Sequence, residues 1–215
     1  MRKLWTPDGY VEKSAVGLDL DGVARDTGYK AYLSVNELIK KFGGKPVTYA
    51  DYILKPFNNL QYVTSCGASI DKETLHREYH DLHPADNLTG PFADVTSFCE
   101  QVGMLGLDLF VVTACRADWV VNWFKEHSLG AHFAQVIHSA KPKDPHLRAV
   151  CAELGVEPDE VFYVGDMGHD MEAAIKAEIL PVGITRGYDG AEASLKKAGA
   201  KMVVRSLEHL ACLIS

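Results

Sequence analysis

Apolar residues recur along the 215-residue chain with two different periods, and the change from one to the other divides it. Ala15 to Leu18 is a short apolar run that reads as a buried strand. It delivers Asp19 and Asp21 and then leaves at Gly22, a residue that admits φ > 0. From residue 28 the period is helical: Tyr29, Tyr32, Leu33, Val35, Leu38, Ile39 and Phe42 recur every three or four positions until Gly43-Gly44 stops them. Residues 48–54 and 71–82 read as further helices, the second with Asp71 as its N-cap. Between them Pro56-Phe57-Asn58-Asn59 is a break, and the stretch down to Cys66-Gly67 has no clear period. Helices without an intervening strand predict a helical insert over 25–87, with Pro84 and Leu88-Thr89-Gly90-Pro91 marking the return.

From Pro91 onward helices and strands alternate. Helices are predicted over 94–105, 117–127, 145–154, 171–177 and 191–198, and Ser206 is placed to cap a last one. Strands are predicted over 107–113, 136–138, 161–164, 180–184 and 202–204. This alternation implies an α/β fold: a doubly wound parallel sheet with right-handed crossovers and helices on both faces. The expected division is a core of residues 1–24 and 88–215 with a small α-helical domain over 25–87. Trp119 and Trp123 fall on the apolar side of their helix and read as core.

Composition narrows the class. With 47% hydrophobic and 24% charged residues, the chain has the makeup of an ordinary globular protein and not of a disordered one. A formal net charge of −7 without a basic cluster argues against a nucleic-acid surface. No apolar stretch approaches the ~20 residues that span a bilayer, and the N-terminus lacks a signal peptide's apolar core. Five scattered cysteines, odd in number and without CxxC spacing, suit reduced thiols. The expectation is a cytoplasmic protein, monomer or homodimer, with neither a nucleic-acid nor a membrane partner.

Four chemical groups fall at strand ends: Asp19 with Asp21, Thr113, Lys141, and Asp166 with Asp170. In a parallel sheet the carboxyl ends converge on one edge, so these residues become neighbours. Clustered carboxylates repel unless a cation sits among them, which points to a hard, oxygen-ligated ion, Mg²⁺ first. A hydroxyl and an ammonium beside it suit the oxygens of a phosphoryl group.

Asp19-Leu20-Asp21-Gly22-Val23, Thr113 after Phe110-Val111-Val112, Lys141-Pro142, and Gly165-Asp166-Met167-Gly168-His169-Asp170 stand in this order. The set resembles the haloacid dehalogenase-like superfamily, in its phosphatase branch, whose core is Rossmann-type and often carries a helical cap after the first strand. The resemblance implies that Asp19 is a nucleophile forming an aspartyl-phosphate, and that Asp21 is the acid and base. It also implies that Asp19, Asp21, Asp166 and Asp170 surround Mg²⁺, Asp21 through its carbonyl and Asp170 through water or by orienting the lysine. Thr113, Ala114, Lys141 and Gly22 would then hold the phosphate. Lys143 is a second candidate for the lysine; Lys141 is preferred for its spacing from Asp166 and its following proline.

The sequence departs from that family at Val23-Ala24-Arg25 and at Ala114-Cys115-Arg116, so the rim of the pocket is its own. Cys115 reads as a pocket-wall thiol. His76, His80 and His83 read as a solvated helix face, because no acid pair completes a zinc site. His169 and Arg186 fall in loops on the active edge. The expected activity is a Mg²⁺-dependent phosphomonoester hydrolase, phosphoglycolate phosphatase-like, acting on a small phosphorylated metabolite under a cap that excludes water. The rivals are a phosphomutase, a phosphonate hydrolase drawing on Lys30 or a neighbour, and a non-catalytic binding or regulatory module of the same fold.

Overall fold

The computed structural model describes residues 2–53, 59–82, 89–188 and 190–214. The elements in chain order begin with strands β1 (Arg2–Thr6), β2 (Gly9–Lys13) and β3 (Ala15–Leu18). Helices α1 (Gly28–Lys41), α2 (Tyr49–Ile53), α3 (Asn59–Ser65), α4 (Lys72–Leu82) and α5 (Val95–Met104) follow. Then come β4 (Asp108–Val112), α6 (Ala117–His127), β5 (Gln135–Ile137), α7 (Asp144–Leu154), β6 (Val161–Gly165) and α8 (Gly168–Lys176). The last elements are β7 (Leu180–Ile184), α9 (Ala191–Lys197), β8 (Met202–Val204) and α10 (Leu207–Ala211). Two 3₁₀ turns, Gly130–His132 and Pro158–Glu160, lead into β5 and β6.

The chain divides into two compact units, one of Met1–Asp26 with Asn87–Ser215 and one of Thr27–Asp86. In the first, six parallel strands take the order β5-β4-β3-β6-β7-β8, and helices cover both faces. The predicted α/β, doubly wound sheet is therefore present. Its connections run outward from β3 to β4 and β5, then cross back to β6 and run the other way. β3 thus lies at the point where the winding reverses, where open sheets of this kind hold their ligands.

Strand residues alternate between two cores, which is why the strands read as continuous apolar runs. Val16, Leu18, Leu109, Val111, Phe162 and Val164 face one layer, with Phe98, Trp119 and Trp123 among its residues. Ala15, Phe110, Val112, Val161 and Tyr163 face the other, with Leu147 and Val150 of α7. Both tryptophans are core residues, as their spacing predicts. Gly17 separates two aromatic rings on neighbouring strands: a Cβ there would lie 2.5 Å from Phe110 and 2.8 Å from Tyr163. That close approach seats the Tyr163 ring under the end of β3.

One element escaped the sequence reading, an antiparallel hairpin of β1 and β2 ahead of the main sheet. Leu4 is fully buried in the first core, and the Trp5 amide donates to Leu213 O at 2.9 Å.

The second unit holds α1 to α4 around Val35, Leu38, Ile39, Tyr52, Tyr62, Val63 and Leu75. α1 stops at the predicted glycines, where the Gly44 amide donates to Ile39 O at 2.8 Å. Asp71 caps α4 by accepting from the Thr74 amide at 2.9 Å. α3 lies in the stretch that showed no clear period. The predicted break at Pro56-Phe57-Asn58 and return markers Pro84 and Leu88 fall outside the described residues, as does His83. Among the described residues, no helix is long and apolar enough to cross a membrane.

Candidate active site

Register places the chemistry. Leu18 of β3 pairs with Val111 of β4 and with Val164 of β6, so residues just beyond these three strands share one edge. Asp19 continues the ladder for one more bond, its amide donating to Val164 O at 2.9 Å. Asp166 follows Gly165 at the end of β6, and Asp170 stands one turn into α8. Carboxylate oxygens of Asp19, Asp166 and Asp170 lie within 4.8 Å of one another. Gly22 lies against this cluster: it has φ +76°, and a Cβ there would come within 2.1 Å of Asp166 Oδ2. Only glycine meets both conditions.

The ammonium in the cluster is Lys143. Lys141, the residue preferred from the sequence, is exposed, whereas Lys143 is buried at the N-terminus of α7. Its Nζ lies 2.8 Å from Asp19 Oδ2 and 2.6 Å from Asp170 Oδ1, and it donates to Tyr163 Oη at 3.2 Å. Those are all three of its N–H bonds. The Tyr163 hydroxyl in turn donates to Val112 O at 2.5 Å, which ties the lysine to β4. The physical reason for the correction is position. The turn of α7 begins at Lys143, with Pro145 in its first turn, and a residue at that point faces the sheet edge, whereas Lys141 is still in the loop. A cation at a helix N-terminus is disfavoured by the helix dipole. Two carboxylates are what hold it there.

Asp170 uses both its oxygens: Oδ1 takes Lys143 and Oδ2 accepts from the Met167 amide at 3.1 Å. It is fully buried. Both oxygens thus have partners within the protein, one of them the lysine. His169 is half-exposed, its Nε2 3.6 Å from the same oxygen. The charges answer one another. Burial pushes the Asp19 carboxyl above its usual range, Lys143 pulls it back, and Asp170 and Asp21 raise it again, leaving it raised. Burial also works against the charge on Asp170, but Lys143, His169 and the Met167 amide outweigh it and leave that carboxyl below its usual range. Lys143 sits well above its own: burial would lower it, and Asp170 and Asp19 reverse the effect.

Thr113 is buried at the end of β4, where its amide donates to Ile137 O at 2.9 Å. Its Oγ1 accepts from the Cys115 amide at 3.2 Å, so the loop through Ala114 curls back over the strand end. Cys115 is buried, and burial with Asp21 nearby pushes its thiol up to about 12, which makes it a neutral sulfur and not a nucleophile. Asp21 is partly exposed and accepts from a buried arginine, Arg25, through Nε at 2.7 Å. Arg186 belongs to the structure of the edge: it pairs with Asp94 through Nη1 at 2.7 Å and stacks on Phe92. His76 is exposed on α4.

Among the described residues, three carboxylates converge here with the Lys143 ammonium beside two of them, and the ligand atoms they offer are carboxylate oxygens. A hard divalent cation fits such a set, and a thiolate- or imidazole-seeking metal does not.

The model of the haloacid dehalogenase-like hydrolases matches residues 17–184, well over half of the chain. The protein belongs to that family. Its curated relatives include a phosphoglycolate phosphatase of Salmonella choleraesuis, 30% identical over 127 residues, or 57% of this chain and 50% of the relative. A glyceraldehyde 3-phosphate phosphatase of Methanopyrus kandleri is 29% identical over 164 residues, 73% of this chain and 66% of that one. The chain thus spans about half the length of the first of these and two thirds of the second. Among solved structures, a haloacid dehalogenase-like protein of Streptococcus pneumoniae superposes with a TM-score of 0.76 at 16% identity, covering 93% of this chain and 97% of that one. At that identity the likeness concerns the fold.

Two residues of this dehalogenase-like site were missed in the sequence, Tyr163 and Arg25, and Lys143 was named there only as the second candidate behind Lys141. Lys143 carried a readable signal, since Asp144-Pro145 behind it starts a helix. Tyr163 reads only as one more apolar strand residue. Arg25 was visible as a departure from the family pattern and nothing more.

Proposed function

We propose that this chain is a Mg²⁺-dependent phosphomonoester hydrolase that works through an aspartyl-phosphate on Asp19. The observation that carries the reading is the buried Asp19 carboxylate at the reversal of the sheet, 2.8 Å from Lys143 and grouped with Asp166 and Asp170. A bound Mg²⁺ would offset the repulsion between phosphoryl oxygens and carboxylates, and Asp19, Asp166 and the backbone at Asp21 would hold it.

The chain's own groups supply the rest. An oxygen of Asp19 attacks phosphorus; the Asp19 O–P bond forms as the P–O bond to the leaving group breaks. Asp21 gives that leaving oxygen a proton. It then takes a proton from water as the water attacks phosphorus, the Asp19 O–P bond breaks, and inorganic phosphate leaves. Thr113 faces the transferring oxygens, while Lys143 pulls the Asp19 carboxyl toward its ionised form and Asp170 keeps Lys143 in place. The pocket-wall loop 113–115 and the Gly22 turn complete the cradle. Two relatives are named as phosphatases of small phosphorylated acids or aldehydes, which supports a small-metabolite phosphate as substrate.

The test is p-nitrophenyl phosphate hydrolysis with Mg²⁺, followed by a panel of metabolite phosphates. Asp19→Asn should lower turnover by at least about 10⁴-fold, the scale of losing a nucleophile. Activity surviving that change refutes the nucleophile. No turnover on any ester by a folded wild-type protein favours the binding-module rival.

A further inference from the structure

We propose that Arg25 is a positioning residue for Asp21, fixing the carboxylate that handles protons in a single orientation; this inference rests on the phosphatase reading above. Arg25 is 4% exposed, an uncommon degree of burial for an arginine, and the turn it belongs to otherwise buries the apolar side chains of Leu20, Val23 and Ala24. An apolar residue would fill the space at lower desolvation cost. Arg25 is instead aimed at Asp21: Nε donates to Asp21 Oδ1 at 2.7 Å, and Nη2 lies 2.6 Å from the same oxygen.

Two donors converging on Oδ1 leave Oδ2 as the oxygen that carries a proton. Without them the Asp21 side chain, 38% exposed, has solvent in which to turn. The lock is itself held at three points. The Arg25 amide donates to Leu20 O at 2.8 Å, and its carbonyl accepts from the Gly22 amide at 2.9 Å, so both members of the pair stand on one tight loop. A backbone bridge joins Arg25 to Pro91. Nη2 also reaches Cys115 Sγ at 3.3 Å, two residues beyond Thr113. Arg25 therefore connects the proton-handling carboxylate to the loop that would hold the phosphate. The two departures from the family pattern, at 23–25 and 114–116, meet in this one contact.

A misplaced catalytic group costs on the order of 10²-fold in rate, so Arg25→Ala should lower kcat by about that factor. KM and the Mg²⁺ concentration for half-activation should stay within a few-fold of wild type. The loss should be greater with an alkyl phosphate, whose alkoxide needs a proton to leave, than with p-nitrophenyl phosphate, whose phenolate does not. Methylguanidine added to the assay should restore part of the rate to Arg25→Ala and none to Asp21→Asn. Arg25→Met, which keeps the packing, should behave as Arg25→Ala does.

Wild-type kcat in Arg25→Met overturns the proposal. So does a loss that methylguanidine does not touch and that follows the fall in melting temperature through both variants, because Arg25 would then serve only the loop. A readout in the metal-free protein separates this from the phosphatase reading: the Arg25 Nε–H should exchange slowly with solvent in the wild type and rapidly in Asp21→Ala, which removes the accepting oxygen. If the wild type hydrolyses no ester, the functional reading fails and the exchange result judges the lock. Unchanged protection in Asp21→Ala refutes it.

Discussion

Lys143 directs its three N–H bonds at Asp19, Asp170 and Tyr163, and with nearly complete burial it has no water to replace any of them. Removing it leaves two buried carboxylates facing each other without a counter-charge. Truncating one member of a buried ion pair costs about 3–5 kcal/mol, so Lys143→Ala should unfold at markedly lower denaturant and lose turnover as well. Lys141 is exposed, and Lys141→Ala should leave both stability and kcat within a few-fold of wild type. Measuring the pair side by side decides between the lysines; a silent Lys143→Ala would return the role to Lys141. The same residues show why the sequence was read only in part. Asp19, Asp21, Asp166 and Asp170 are legible because each follows an apolar strand at short range. The choice between two lysines two positions apart depends on where a helix turn begins, and helix ends are the least certain feature of a sequence. Arg25 depends on a contact with Cys115, 90 residues away, that no local pattern records.

Among the elements, the β1–β2 hairpin is anchored in the main core although its sequence signal is weak. Pro7-Asp8-Gly9 is a turn with a physical reason behind it, and Leu4 and Thr6 alternate inward against the exposed Trp5. The signal is blurred because a charge, Lys13, lies at a buried position, where its ammonium finds the Asp159 carbonyl. By contrast the core strands announce themselves, since a strand covered on both faces is apolar at every position. Leu4 is the hairpin's anchor in the main core. Leu4→Ala should cost about 2–5 kcal/mol, the range for a buried leucine, in urea unfolding. Trp5→Ala, on the exposed face, should cost much less. Equal costs would mean that the hairpin is held by its backbone bonds to Leu213 and not by the buried side chain.

At the scale of the molecule, the site exists because of the winding order. Asp19, Thr113 and Asp166 are far apart in sequence and become neighbours because β4 and β6 flank β3. That much follows from alternating helices and strands; the order of the strands about β3 does not, and it decides which ends meet. The arrangement sets a stability cost, since Asp19, Asp166 and Asp170 converge beside the Lys143 ammonium in a chain already carrying a net charge of −7. A cation that binds this folded cluster and not the unfolded chain must stabilise the fold by mass action. At a concentration about a hundred times its dissociation constant the gain is about 2.7 kcal/mol, enough to raise the melting temperature by several degrees. Mg²⁺ should therefore raise the melting temperature of the wild type in steps that follow its binding, while chelation reverses the rise and abolishes turnover. Asp166→Asn should keep the fold, since Asp166 is half-exposed, yet lose most of the Mg²⁺-dependent rise. Sodium chloride at matched ionic strength controls for screening, which lessens the repulsion without occupying the site. An equal rise with sodium chloride, or an Asp166→Asn protein that responds to Mg²⁺ as the wild type does, would remove the metal from this cluster and with it the present account of how Asp19 faces a phosphate.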